Sequence, residues 1–240
     1  IVLDELEELS IGVQLNKHPY SAVAVTDEEL TLDIRSFGAQ VLAPQVLAVA
    51  EKLESYIATA MTGAAYAAEL EMDEGDTGND GPWGMLVQAR RILNQANVPA
   101  SGRYAILGAN VEQEFLMTDL FVKANESGTD TALTEATLGR KAGFTVIGSV
   151  NSIPENEAYF FHESAYVFAN VAPAIPDGVV MGKGASYDGL AMRWIRDYDA
   201  MYLRDRSVVS AFAGAAAVAD GREEDGTLTN EVIRAVKLTY

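Results

Sequence analysis

Four clusters in this 240-residue chain could do chemistry. Gly178-Val179-Val180-Met181-Gly182-Lys183-Gly184 has the glycine and lysine content of a phosphate-binding loop, whose backbone N–H groups and lysine hold anionic oxygens where a helix begins. The string is one residue short, Gly184 stands where a Ser or Thr would ligate magnesium, and no helical pattern follows. An exposed turn is expected instead. His162-Glu163-Ser164 offers a base, an acid and a hydroxyl, but neighbours in sequence do not face one another, and no Gly-x-Ser-x-Gly elbow presents a serine. His162 is expected as a partly buried spacer, with Glu163 or Ser164 capping a short helix. Asp73, Glu74, Asp76, Asn79 and Asp80 could gather oxygens around calcium, yet they lack the EF-hand spacing and its closing glutamate. A solvated loop is expected there, as at Glu223-Glu224-Asp225. The fourth cluster is of another kind. Arg193, Arg196, Arg204 and Arg206 interleave with Asp197, Asp199 and Asp205, and alternating signs on neighbouring strands pair either within a sheet or across a boundary between subunits.

Composition narrows the field further. Zero cysteines exclude disulfides, thiolate metal sites and cysteine nucleophiles, and two histidines leave little for an imidazole site. No catalytic, cofactor-binding or metal residue is therefore assigned, and the chain is not expected to be an enzyme. With 17 basic against 35 acidic residues the formal net charge is −18, so the average surface repels nucleic acid and anionic lipid. No window approaches the roughly 18 to 20 apolar residues of a membrane helix. The chain starts at Ile1 inside an apolar stretch with no signal-peptide pattern, so an upstream part is expected to be gone. The 49% hydrophobic content is ample for a core.

The elements that must position these residues follow from periodicity. Residues 1–35 alternate as an extended two-stranded hairpin broken at Asn16-Lys17-His18-Pro19, marginal alone and suited to docking on another chain. Val46, Val49, Ala50, Leu53, Ile57, Ala60, Met61 and Ala64 recur at three and four, predicting a long helix from about Gln40 to Glu71 with Pro44 in its first turns. A second helix starts near Asp80 and Pro82, turns Leu86, Ala89, Leu93 and Ala96 inward, and stops at Asn97-Val98-Pro99. Strand Arg103 to Leu107 precedes a helix that Asn110 is placed to cap. Strands are expected at Phe144 to Val150 and Ala158 to Phe161, and a short helix at Glu163 to Ala169. Long strands fill Leu190 to Val218, an acidic turn covers Gly221 to Gly226, and a last strand carries Val232, Val236 and Leu238. The fold class is α+β.

Two segments resemble the major capsid proteins of tailed bacteriophages. Arg35-Ser36-Phe37-Gly38-Ala39-Gln40-Val41-Leu42-Ala43-Pro44-Gln45-Val46-Leu47-Ala48-Val49-Ala50-Glu51 is similar to the junction where the extended loop of such proteins enters their spine helix. Gly143 to Val150 followed by Ala158 to Ala169 resembles the strand and aromatic segment before the return through Ile195 to Asp199 and Arg206 to Val209. The resemblance implies the Hong Kong ninety-seven type of fold: an extended loop at 1–35, a peripheral domain with the spine helix at 36–99, an axial domain at 100–175, and a return to peripheral strands at 176–240. It also implies a self-assembling subunit, in pentamers and hexamers of an icosahedral virion shell built in the host cytoplasm. That shell would enclose double-stranded DNA without reading its sequence, with scaffolding, portal and decoration proteins as further partners. No cofactor and no membrane are implied. An encapsulin-like compartment shares the fold, and a soluble hydrolase or nucleotide-binding enzyme is the reading from another class. Subunit-interface candidates are Lys17, His18, Tyr20, Arg35, Arg193, Arg196, Asp197, Asp199, Arg204 and Arg206.

Some relatives join subunits through a lysine–asparagine isopeptide bond promoted by a glutamate. Lys17 lies in the expected loop, but neither the asparagine nor the glutamate can be matched. The assembled protein, boiled in detergent and reductant, should therefore run as one monomer band on a gel; a ladder of multimers would contradict this.

Overall fold

The computed structural model describes residues 10–73, 78, 80–118, 139–187, 189–224 and 227–240. In chain order the elements are β1 (Tyr20–Thr26), α1 (Ala43–Thr62), β2 (Glu69–Glu71), α2 (Pro82–Gln95), β3 (Arg103–Leu107), α3 (Ala109–Met117), β4 (Arg140–Lys141), β5 (Phe144–Ser149) and β6 (Glu157–His162). They continue with β7 (Tyr166–Val171), β8 (Met181–Tyr187), β9 (Leu190–Asp199), β10 (Arg204–Ser210), β11 (Phe212–Ala217), β12 (Asp220–Glu224), β13 (Thr227–Glu231) and β14 (Ala235–Thr239). Helices and mixed sheets alternate, and the class is α+β. The chain divides into two compact units, one of Ile1–Ile57 with Val167–Ala216 and one of Ala58–Tyr166 with Ala217–Tyr240. These divisions fall at other points than 35/36, 99/100 and 175/176: α2 groups with β3 and α3, and the last strand groups with them too.

In the first unit an antiparallel sheet runs β1-β10-β9-β8. The long helix carries the apolar spacing, with Pro44 in the first turn of α1. A wider π-helical turn, Gly38–Leu42, leads into it. Its buried side is Val41, Gln45, Val49 and Leu53, whereas Val46, expected inside, is 39% exposed. Val49 and Leu53 pack on Val209, Ala211 and Ala213, flanked by Met192 and Trp194. Gln45 is the exception in this apolar contact. Its amide donates to the carbonyls of Ser21 (3.1 Å) and Ser207 (2.9 Å) and accepts from Ser207 Oγ (2.6 Å). Ser207 Oγ in turn accepts from Trp194 Nε1 at 2.9 Å. One amide thus ties α1 to β1, β10 and β9.

The second unit is built on a six-stranded sheet ordered β2-β14-β6-β3-β5-β4. Strand alternation sends Ala105, Leu107, Phe144, Val146, Ala158, Phe160, Val236 and Leu238 into one core with Leu86, Ala89 and Leu93 of α2 and Val111 and Phe115 of α3. Helix α2 starts with Pro82 at its first position and ends as a Schellman motif: Asn97 has φ 56°, Val98 N–H donates to Leu93 O and Asn97 N–H to Asn94 O. Arg103, 3% exposed, fastens that end by donating to Pro99 O, Val98 O and Asn94 Oδ1. The alternate residues of β6 enter an aromatic cluster: Tyr159 stacks 5.8 Å from Tyr66, and Phe161 meets Tyr166 edge-on at 5.2 Å. Tyr66 Oη lies 2.7 Å from Tyr166 Oη and donates to Met61 O. Burial pushes the Tyr66 phenol up to about 12, and Tyr166 only partly offsets this, so the cluster stays neutral at physiological pH.

Several local expectations change. The helix expected to reach Glu71 stops at Thr62, next to Gly63, because buried or half-buried side chains then recur at two (Tyr66, Ala68, Leu70, Met72) and the chain becomes β2 beside β14. The short helix at Glu163 to Ala169 is one 3₁₀ turn, Glu163–Ala165, followed by β7. Helix α3 begins after Gly108 and its first residue is Ala109, so Asn110 is within it and bonds Asn156 instead of capping. The hairpin expected in residues 1–35 is not formed by the described part of that segment: β1 pairs with β10, and residues 1–9 lie outside the described residues. The acidic stretch after Gly221 belongs to the β12–β13 hairpin, with residues 225 and 226 outside the description.

Replacing Gln45 by Leu removes the amide's bonds to the buried Ser207 carbonyl and hydroxyl and to the half-buried Ser21 carbonyl, which should cost about 2–3 kcal/mol of unfolding free energy. Denaturant titration of the unassembled protein should show that loss; an unchanged midpoint would remove Gln45 from this role.

Candidate assembly interface

The charged cluster is assembled by one hairpin. Antiparallel register between β9 and β10 sets Asp199 opposite Arg204 and Asp197 opposite Arg206, while Arg196 stands opposite Ser207 and reaches diagonally to Asp205. Pleating then separates two groups. Arg196 and Asp205 share the side of the sheet that carries Trp194 and Ser207, and so face α1. Arg196 bonds Asp205 through both Nε and Nη2, and its guanidinium lies 4.2 Å over the Phe37 ring. Arg206 with Asp197 and Arg204 with Asp199 (3.8 Å) lie on the opposite side. Asp197 raises the Arg206 guanidinium above its ordinary value by its hydrogen bond and its charge. The pairing within a sheet is thus realised in the single chain.

The remaining interface candidates cluster nearby, with one exception. Arg193 donates to Ala174 O and to Ser210 Oγ (3.1 Å), so its guanidinium is engaged within the chain. Tyr20 opens β1 opposite Ser210 and is 68% exposed. His18 packs its ring 4.6 Å from Phe212, and Lys17 exchanges backbone hydrogen bonds with Ala213 while its ammonium sits 6.0 Å from the Tyr56 ring. Arg35 stands apart, exposed between Ile34 and the turn into α1, with its N–H bonded to Gln40 Oε1.

The other sequence candidates resolve differently. The glycine string is not a turn beyond Gly178: Met181 to Tyr187 form β8, an exposed edge strand paired with β9, and no helix follows it. A Cβ on Gly182 would sit 2.5 Å from Ile175 Cγ2, so glycine is there to let that side chain cross. His162 is buried and is itself the cap: Ser164 N–H donates to its Nδ1 at 3.2 Å, and Arg234 donates to Ser164 Oγ. The calcium reading of Asp73 to Asp80 falls mostly outside the described residues. Among the described residues no three His, Cys, Asp or Glu side chains are grouped to hold a metal, and no helix is long and apolar enough to cross a membrane.

Sequence reasoning missed two surface features of this unit. The β9–β10 turn exposes Met201, Tyr202 and Leu203, read from sequence as parts of strands; Asp199, a favoured first turn residue, was the available signal. Beside α1, a hollow of about 300 Å³ is lined by Val46, Ala50, Ala185, Leu190, Met192 and Trp194 among others.

Arg196→Met leaves Asp205, 8% exposed, without its cation and should cost about 2 kcal/mol in a thermal or denaturant melt. Arg206→Met, on the exposed side, should leave the melt unchanged. Equal losses would show that burial does not separate the two pairs.

No family model and no curated protein matches this sequence. Solved structures do. One from Mycobacterium phage Che8 matches with TM-score 0.70 and 16% identity, covering 99% of this chain and 76% of that one. The capsid of cyanophage P-SCSP1u matches with TM-score 0.64 and 13% identity, over 99% and 80% of the two chains. The holo-SrpI encapsulin complex of Synechococcus elongatus matches with TM-score 0.54 and 13% identity, over 93% and 73%. Identities this low establish likeness of fold alone, and that likeness spans nearly the whole chain and agrees with the strings at Arg35 to Glu51 and Gly143 to Ala169. The chain has the α+β fold of tailed-phage capsid proteins, the Hong Kong ninety-seven type that its sequence resembles.

Proposed function

We propose that this protein is the major capsid subunit of a tailed bacteriophage. It self-assembles into pentamers and hexamers of an icosahedral shell around double-stranded DNA. The observation that carries the reading is the likeness of fold between 99% of the chain and the capsid structure of cyanophage P-SCSP1u. The −18 charge is consistent with it, since a container that gripped phosphates would resist both filling and release of its polymer. The role is structural and not enzymatic, and the protein resides in the virion after assembly in the host cytoplasm. Scaffolding, portal and decoration proteins are its further partners.

In this reading the unit with α1 and the charged sheet is the peripheral domain, and the six-stranded unit is the axial domain. The segment 1–35 that corresponds to the extended loop belongs to the first unit, and its strand β1 pairs with β10. Contacts with neighbouring copies fall to the exposed candidates Lys17, His18, Tyr20, Arg35 and Arg206, while Arg193, Arg196 and Asp205 serve the subunit's own packing. Many modest contacts repeated by symmetry stabilise such a shell.

The encapsulin match supports a second reading, a compartment holding a protein cargo. Electron microscopy of the purified protein, with nucleic-acid and cargo analysis, separates them. Closed shells that fill with DNA in the presence of packaging partners support the capsid, and nucleic-acid-free shells holding a foreign protein support the compartment. A strict monomer at high concentration would end both.

A further inference from the structure

The β9–β10 turn and the hollow beside α1 are both unusual for a surface, and they are chemically matched. At the turn, Met201 is 83%, Tyr202 64% and Leu203 63% exposed, three adjacent large apolar side chains set in water. The turn is nonetheless ordered: Met201 N–H donates to Asp199 Oδ1, Tyr202 N–H to Asp199 O, and the Arg204 guanidinium lies 4.7 Å over the Tyr202 ring. Leu203 is held at φ 48°, which is strained for a bulky side chain. A preformed apolar knob loses little conformational freedom on docking.

The hollow offers the complementary shape. Its walls are the outer side of α1 (Val46, Ala50), the edge strand β8 (Ala185) and the start of β9 (Leu190, Met192, Trp194). Lys183 is the only charged side chain among its described lining residues, and Met201, Tyr202 and Leu203 carry no charge, the Asp197–Arg206 and Asp199–Arg204 pairs at the base of the knob balancing one another. A chain cannot fill its own hollow with its own knob. The two lie at opposite ends of the same strand, and Met192 to Asp199 alone spans about 23 Å of continuous strand.

We propose that the Met201-Tyr202-Leu203 knob of one copy docks into the hollow between α1 and β8 of a second copy. The contact joins two different patches, so it is heterologous: each copy gives one knob and receives one, and such contacts propagate around rings. This deepens the shell reading and rests on it.

The absence of cysteine makes the test clean. In the full chain, Met201→Cys combined with Val46→Cys should, after mild oxidation of assembled particles, give reducible multimers larger than dimers on a denaturing gel. Each single variant should stay monomeric. Closed shells from the double variant with no multimers would overturn the knob contact while leaving the shell reading intact. So would a dimer from either single variant, since it would show knob meeting knob or helix meeting helix. A wild-type protein that stays monomeric at high concentration would overturn both. Leu203→Glu is the companion: its thermal melt should match wild type while its yield of particles falls at least tenfold. An undiminished yield would count against the contact.

Discussion

An amide as deep as that of Gln45, 2% exposed in a helix–sheet contact otherwise made of Val49, Leu53, Val209 and Ala211, costs several kcal/mol unless every donor and acceptor is met. It is met only in one arrangement. The Ser21 carbonyl arrives on β1, the Ser207 carbonyl and hydroxyl on β10, and Trp194 completes the Ser207 hydroxyl from β9. Aliphatic packing alone would let α1 slide or rotate on the sheet at little cost. The amide removes that freedom, so the height of α1 above the strands is set, and with it the positions of Val46 and Ala50 over β8.

From that placement the division of the charged strands follows. Because α1 covers the side bearing Ser207 and Trp194, Arg196 and Asp205 are drawn beneath it and become structural, a partly desolvated pair supported by the Phe37 ring. Arg206 and Asp197, one residue along each strand, are left facing water. Six charges that look alike in sequence therefore divide between two faces, and the seventh, Arg193, is held on the outer face by Ala174 O and Ser210 Oγ. The rule that separates them is the two-residue period of a strand, applied once one face has been covered.

Much of the secondary structure was legible in the residues. The spacing of Val49, Leu53 and Met61 announced α1, Pro82 and Asn97-Val98-Pro99 marked both ends of α2, and the alternation in Arg103 to Leu107 and Phe144 to Ser149 marked β3 and β5. The resemblance of Arg35 to Glu51 and Gly143 to Ala169 to phage capsid proteins named the fold. What failed were short segments whose state depends on distant chain. Residues 69–71 carry a pattern compatible with helix, and become a strand because β14, near the other end of the chain, offers an edge. The glycines of 178–184 read as a loop, and become β8 because β9 hydrogen-bonds them and Ile175 needs the room at Gly182. Tyr20 to Thr26 read as half of a hairpin, and find their partner in Arg204 to Ser210.

By itself, then, the sequence determined the class of the fold, its main helices, and the lack of any cysteine chemistry, because helical and strand periods, caps and composition are local properties. Cysteine-free and strongly acidic, it also set out an Arg/Asp cluster whose pairing could be internal or external. Only the tertiary structure decided which of those charges are internal, that Gln45 is a buried tie, and that Met201, Tyr202 and Leu203 form an exposed knob while β8 and α1 leave a hollow open. The physical reason is the same in each case. Which face of a strand or helix is covered depends on elements brought together from far along the chain, and a residue's own neighbours in sequence carry no record of that.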